Sequence, residues 1–224
     1  MRGSRRLPFE SLQPYWLEVP HPGFVPPDSP LLAPAPAVDW PLLFGNAHPV
    51  EIEVGFGKGL FLLQQGAARP NVNFLGIEIE RKYALLTATR VAKRELHNVK
   101  IACTDARWLL KERIREASVA AVHVYFPDPW WKNRHKKRKL FTQEFAAECA
   151  RVLEPAGKLH FVSDVADYFA ESIELLKQVP ALRALPEPPA LGESEYLTNF
   201  ERKYRLEGRT IHRAVYERLS EPEA

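Results

Sequence analysis

The sequence predicts an α/β fold with a mostly parallel sheet, helices on both faces and antiparallel strands at its C-terminal end. Three observations carry this. Between Val50 and Val179, short β-branched runs alternate with helix-spaced segments five times, a spacing that demands right-handed crossovers between parallel strands. A glycine loop, Gly55-Phe-Gly57-Lys-Gly59, joins the first strand to the first helix. After Val179 two strand-like runs, Tyr196–Leu206 and Thr210–Leu219, are separated only by Glu207-Gly208-Arg209. That leaves no room for a helix and predicts a hairpin.

In chain order, residues 1–41 differ from the rest. Pro20 to Pro41 holds eight of the 20 prolines, so this arm reads as extended and wrapped over a domain. Residues 42–224 then read as one domain, which a chain of 224 residues accommodates. Val50–Val54 is the first strand, and Gly59–Arg69 has helical spacing up to Pro70. Asn73–Ile79 is the second strand, and Arg81–His97 an amphipathic helix with Leu85, Leu86, Thr89, Ala92 and Leu96 on one stripe. Val99–Cys103 and Val119–Phe126 are strands flanking a helix over Arg107–Glu116. Thr142 caps a helix to Leu153, closed by Pro155-Ala156-Gly157. Lys158–Ser163 is the fifth strand, followed by a helix over Val165–Val179.

Composition excludes several classes. Cys103 and Cys149 stand apart without a CxxC, and the seven histidines lack ligand spacing, so neither a disulfide framework nor a metal site is expected. Arg2, Arg5 and Arg6 precede Pro8 and Glu10 rather than an apolar segment, and no run approaches the ~18 apolar residues of a membrane span. A soluble, cytoplasmic protein is expected, with no membrane association. The net charge is only +3, so any affinity for nucleic acid must come from clustering.

Such a cluster exists. The fourth strand stops at Pro127-Asp128-Pro129, because neither proline can donate to a central ladder and both stiffen the backbone that carries Asp128. Trp130 and Trp131 come next, then six Lys/Arg and one histidine between Lys132 and Lys139. The basic run alone reads as a solvated face. Attached to a rigid acid and two aromatic faces at a strand end, it reads as a grip for an anionic polymer that bears a base.

The glycine loop by itself admits NAD, a nucleotide or S-adenosylmethionine; it is not a Walker A, since no Gly-Lys-Ser/Thr follows. Neighbouring acids narrow the choice. Glu53, two residues before Gly55, would repel a pyrophosphate but suits an ammonium group. Glu78 ends the second strand, where a carboxylate accepts from both ribose hydroxyls. Asp105 follows the third and is placed to accept from an adenine amino group. His123, mid-strand, reads as a satisfied core histidine.

With Glu53-x-Gly-x-Gly-x-Gly, Glu78, Asp105 and Phe126-Pro-Asp-Pro-Trp130 assembled, the chain resembles the bacterial tRNA (guanine-N7-)-methyltransferase family from about Val50 onward. The likeness continues through Lys132-Asn-Arg134-His135-Lys136-Lys137-Arg138, Ser163-Asp164 and Thr198-Asn199-Phe200-Glu201. It implies a Rossmann-like class I methyltransferase fold of seven strands and methyl transfer from S-adenosylmethionine to N7 of guanine 46 in the tRNA variable loop. It implies co-substrate contacts by Glu53, Gly55, Gly57, Glu78, Asp105 and Asp128. Substrate contacts fall to Lys132, Arg134, His135, Lys136, Lys137, Arg138, Asp164, Thr198, Asn199, Phe200 and Glu201. Two features depart from the family: Trp131 stands where proline is usual, and the basic arm is reduced to Arg2, Arg5 and Arg6. The expected partner is tRNA, with no obligate protein partner, and the protein acts as a monomer or homodimer.

The chemistry assigns roles. N7 of guanine has a lone pair and no proton to lose, so methylation needs placement and exclusion of water rather than a base. A carboxylate on the guanine N1–H and N2–H edge binds the cationic transition state better than the ground state. Asp128 is the first candidate, Asp164 the second and Glu201 the third. Trp130 is either a platform for the guanine or a brace for the turn. The alternatives are an exocyclic-amine methyltransferase of nucleic acid, an NAD-dependent oxidoreductase and an inactive RNA-binding module.

Overall fold

The computed structural model describes residues 7–26, 28–129, 139–186 and 198–220. Among the described residues the strands form one seven-stranded mixed sheet, parallel except at its C-terminal strands, which bears out the predicted fold class. The chain divides into two compact units, Met1–Arg113 and Ile114–Ala224.

In the first unit the strands run in the order β3-β2-β1. β1 (Val50–Val54), β2 (Asn73–Glu78) and β3 (Val99–Cys103) are parallel, with Val50 opposite Asn73 and Phe74 opposite Val99. All their residues are buried, as expected of strands covered on both faces. The short helix α1 (Trp40–Phe44) leads in, capped by the Asp39 carboxylate on the Leu42 N–H and ended by Gly45 in the left-handed region. α2 (Leu60–Ala68) joins β1 to β2 and buries Phe61, Leu62 and Leu63. α4 (Ala106–Arg113) follows β3.

α3 (Arg81–Ala92) departs from its expected face and length. It stops at Ala92 rather than His97, and of the expected stripe only Thr89 is buried, with Ala84, Thr87, Ala88 and Val91, while Leu85, Leu86, Ala92 and Leu96 are half-buried. The physical reason lies in the arm. Residues Phe9–Tyr15 form a 3₁₀ helix that buries Leu12 and Tyr15, and α3 packs against both this helix and the strands β2 and β3. Small side chains line the buried face of α3, while Leu85 and Leu86, on the side away from it, are only half-buried.

In the second unit the strands run β4-β5-β7-β6. β4 (Val119–Tyr125) is parallel to β5 (Leu153–Ser163), with Tyr125 opposite Val162. The predicted Pro155-Ala156-Gly157 break survives as an irregularity: the register jumps from Val119–Leu153 to Ala121–Lys158, and Ala156 has a φ of 64°. α5 (Gln143–Val152) is capped by Thr142 as expected, its hydroxyl accepting from the Phe145 N–H at 3.1 Å. α6 (Ala166–Lys177) follows β5. His123 is buried, sharing a 2.8 Å hydrogen bond with the Tyr125 hydroxyl and stacking on His160.

The predicted hairpin is corrected. Antiparallel strands do end the sheet, but Asn199–Leu206 is a helix, α7, and Tyr196 lies outside the described residues. β7 (His212–Arg218) pairs instead with β5 and with the short β6 (Leu182–Ala184). Thr198-x-x-Glu201 is a capping box in sequence, and the Thr198 hydroxyl accepts from the Glu201 N–H at 3.0 Å. Charge pairs four residues apart link its turns, Glu201–Arg205 on the buried side and Lys203–Glu207 on the exposed side. Among the described residues no helix is long and apolar enough to cross a membrane.

Candidate functional site

The acids of the first unit stand where β1, β2 and β3 end. Gly55 and Gly57 have φ values of 72° and 53°, the left-handed region that a side chain rarely adopts, and they turn the chain sharply into α2. The Gly57 N–H donates to the Glu78 carboxylate at 2.8 Å, and the Glu80 N–H donates to its other oxygen at 3.0 Å. The carbonyl of Gly57 accepts from the Thr87 hydroxyl at 3.3 Å. Glu78 thus braces the loop from the neighbouring strand, while burial raises its carboxyl above the ordinary range despite those donors.

Glu53 is the exceptional group. It is 2% exposed, and its Oε2 is buried with no hydrogen-bond partner among the described residues. Burial first, then the nearby Glu78 charge, pushes its carboxyl well above the usual value, with a backbone hydrogen bond at Leu62 opposing. A buried carboxylate oxygen without a donor is costly unless a cation or donor arrives. An amino-acid ammonium supplies both, whereas a pyrophosphate supplies neither. The residues present therefore fit S-adenosylmethionine.

Asp105 is differently placed. Burial pushes its carboxyl up, but hydrogen bonds and charge from Arg107 outweigh this and hold it below its ordinary value. The Arg107 N–H and Nε donate to one oxygen at 2.8 and 3.1 Å, and Nη2 sits 2.6 Å from the other. Its charge is thereby fixed at the strand end.

In the second unit Asp128 is exposed at the end of β4. The turn before it is strained, because Phe126 has a φ of 52°, unusual for any side chain and more so before proline. The Phe126 N–H donates to the Val162 carbonyl at 2.8 Å, and its ring packs on Tyr204 at 5.4 Å. Asp128 also reaches two phenols electrostatically. Tyr168 is pushed up to about 12, by burial first, with the charges of Glu171 and Asp128 adding. Tyr204 is raised by burial, then by Asp164, with Asp128 adding.

Asp164, just past β5, accepts from Arg209 at 2.7 Å, and the Arg209 guanidinium lies 4.4 Å over the Tyr204 ring. Thr198 and Glu201 are buried parts of the α7 cap, whereas Asn199 and Phe200 are exposed. Glu201, fully buried, is gripped by Arg205 at 2.8 Å and by Arg213. Sequence reasoning missed Arg209 and Tyr204, which bring Asp164 and the Phe126 turn into one cluster. The expected substrate residues Lys132, Arg134, His135, Lys136, Lys137 and Arg138, with Trp130 and Trp131, lie outside the described residues.

The chain is similar in sequence and in fold to known methyltransferases. A family profile described as "Putative methyltransferase" matches residues 47–214. A tRNA (guanine-N(7)-)-methyltransferase of Rhodopirellula baltica is 43% identical over 187 residues, covering 80% of this chain and 69% of that one. One from Geobacter metallireducens is 34% identical over 208 residues, covering 92% and 97%. Among solved structures, the antibiotic-resistance methyltransferase Kmr aligns with a TM-score of 0.58 at 15% identity, covering 81% of this chain and 94% of that one. A SAM-dependent O-methyltransferase from Thermotoga maritima gives 0.54 at 15% identity, covering 84% and 69%. These two are likenesses of fold. With the profile spanning the sheet and the relatives matched at these identities, the chain belongs to the tRNA (guanine-N7-)-methyltransferase family.

Proposed function

We propose that the protein transfers a methyl group from S-adenosylmethionine to N7 of a guanine in tRNA, with guanine 46 of the variable loop as the target. The observation that carries the cofactor choice is the buried Glu53 oxygen, without a partner among the described residues, beside the left-handed glycine loop. Glu53 would hold the ammonium, Glu78 the ribose hydroxyls and Asp105 the adenine edge. The bound co-substrate supplies an electrophilic methyl group on a sulfonium. The protein's own task is to orient the guanine, exclude water and accept hydrogen bonds from N1–H and N2–H as the ring becomes cationic, and Asp128 is assigned that role. The arm of residues 1–41 serves a methyltransferase domain of residues 42–224, in a cytoplasmic monomer or homodimer. Incubating tRNA with labelled S-adenosylmethionine and mapping the modified nucleotide tests the reaction; label at an exocyclic amine would overturn it.

Glu53→Gln and Glu78→Ala are each expected to weaken S-adenosylhomocysteine binding by about 1.5–3 kcal/mol in calorimetric titration. Unchanged affinity in both would reopen the dinucleotide reading. A pH effect accompanies Glu53. Its folded-state pKa lies above the ordinary 4.5, so its contribution to stability is fully present below that value and is lost as pH rises through the folded pKa. Glu53→Gln should flatten that fall in the Tm of the ligand-free protein. Because an ammonium favours the ionised carboxylate, binding should also release protons, seen as a buffer-dependent calorimetric enthalpy.

Neutralising Lys136, Lys137 and Arg138 together should weaken tRNA binding across tRNA sequences, since phosphate contacts carry charge but little sequence information. The log–log salt slope should shrink by about 0.7–0.9 per lost contact, with S-adenosylhomocysteine affinity unchanged. Survival of both affinity and slope would make the run a solvated face.

A further inference from the structure

The proline-rich arm is directed at the co-substrate site. It runs along β3 in the parallel sense: Trp16 bridges to Ile101, and the Leu17 N–H donates to the Ile101 carbonyl at 2.9 Å. Earlier on both segments, one residue before Ile101 and two before Trp16, the Lys100 ammonium donates to the Pro14 carbonyl. Being parallel, the arm then runs toward the C-terminal end of β3, where the Thr104 hydroxyl donates to the Pro20 carbonyl at 2.7 Å. There it crosses to the neighbouring strand end, and His21 Nε2 lies 3.2 Å from the Ile79 carbonyl. Thr104 and Ile79 are the residues adjoining Asp105 and Glu78, and the Thr104 N–H itself donates to the Glu78 carbonyl at 3.1 Å.

At that point the arm turns. The Phe24 N–H donates to the His21 carbonyl at 2.9 Å, and the Gly23 N–H donates to His21 Nδ1 at 3.1 Å. Because Nδ1 accepts, the neutral ring carries its proton on Nε2 and donates it to Ile79. Both ring nitrogens are therefore committed. Phe24 packs on this fixed imidazole with centroids 4.2 Å apart, yet is 73% exposed, and Ile79 is 49% exposed. Four ties, to β3 and to the residues just past β3 and β2, thus carry an uncovered aromatic ring to the strand ends that bear the two acids, next to the uncovered Ile79 side chain.

We propose that the His21–Phe24 turn completes the adenosine end of the co-substrate site, with Phe24 supplying an apolar face to the adenine and His21 acting as the positioning residue that pins the turn to Ile79. This rests on the assignment of Glu78 and Asp105 to the adenosine of S-adenosylmethionine. It gives the arm a role in co-substrate binding, apart from any contact its arginines make with tRNA.

The test is calorimetric titration of the full chain with S-adenosylhomocysteine and, separately, with adenosine. Phe24→Ala should weaken both ligands by about tenfold, the scale of losing one aromatic face from a base, while Phe24→Trp stays within about threefold of wild type. Neither should shift the Tm, because the Phe24 ring is largely exposed. Tryptophan fluorescence, taken as the difference between Phe24→Trp and wild type, should change on adding adenosine, and adding His21→Ala should abolish that change. If wild type binds S-adenosylhomocysteine, Glu53→Gln weakens it and Phe24→Ala stays within twofold, this proposal falls and the methyltransferase reading stands. Loss of tRNA affinity alone in Phe24→Ala also overturns it. If wild type binds NAD in place of S-adenosylhomocysteine, both fall.

Discussion

Glu201→Ala is expected to destabilise the protein by about 3–5 kcal/mol, the cost of removing one partner from a buried ion pair. The Glu201 side chain is fully buried and the Arg213 side chain is 8% exposed, with Arg205 on the same carboxylate. Truncation would leave the Arg213 charge buried beside a cavity. It would also remove the acid three residues after the Thr198 cap, so the first turn of α7 should loosen. Glu201→Gln should cost less, because an amide oxygen still accepts one hydrogen bond. Replacing Glu201 and Arg213 together by leucine-sized apolar residues should recover much of the loss. Urea unfolding of the four proteins checks this, and a Glu201→Ala midpoint equal to wild type would refute it. Activity separates a structural from a substrate role: a stable Glu201→Gln with turnover near wild type makes Glu201 a brace of α7.

The same helix shows where sequence reasoning stops. Tyr196–Leu206 looks like a strand by composition, but its informative spacing is four: Phe200 and Tyr204 stack with centroids 6.0 Å apart, and Glu201 pairs with Arg205. Both pairs start inside the Thr198-x-x-Glu201 capping box. By contrast, the strands of the parallel sheet are legible because they are short runs rich in apolar and β-branched residues, bounded by glycine, proline or charged residues. The Thr142 cap is legible because it is a local interaction three residues long.

For the site, Glu53, Glu78 and Asp105 can be placed because each sits at a fixed offset from a strand end. Glu53's lack of a partner cannot, since it depends on which donors the fold brings near. Arg209 belongs to the site through Asp164, 45 residues away in sequence, and no local pattern announces such a pairing. The arm illustrates the same limit. Its prolines disclose an extended chain, but its direction is set by the tie between Pro14 and Lys100, 86 residues apart. The leucines of α3 mislead for a related reason: the arm's 3₁₀ helix packs on α3, and a contact with so distant a segment leaves no mark on the helix's own spacing.

Asp128→Ala should lower turnover by at least ~100-fold, the scale of removing one preorganised electrostatic partner, with fold and tRNA affinity retained. The carboxylate is exposed, so truncation opens no cavity and strands no buried group. Its position is nonetheless held. Phe126 stores strain of order 1–3 kcal/mol in its left-handed backbone, kept by the Val162 hydrogen bond and the Tyr204 contact. Pro127 and Pro129 stiffen the backbone on either side of the carboxylate. A group fixed before the substrate arrives needs no reorganisation when charge develops on the guanine. Asp128→Asn should retain more activity than the alanine variant, since its amide oxygen still accepts from the guanine edge, yet remain well below wild type because it cannot balance the cation. The pH profile should lack the basic limb that removal of a substrate proton would impose. Single-turnover methylation of tRNA across pH measures all of this. A near-normal rate for Asp128→Ala would move the role to Asp164, whose carboxylate Arg209 already holds at 2.7 Å, and leave Asp128 a turn residue.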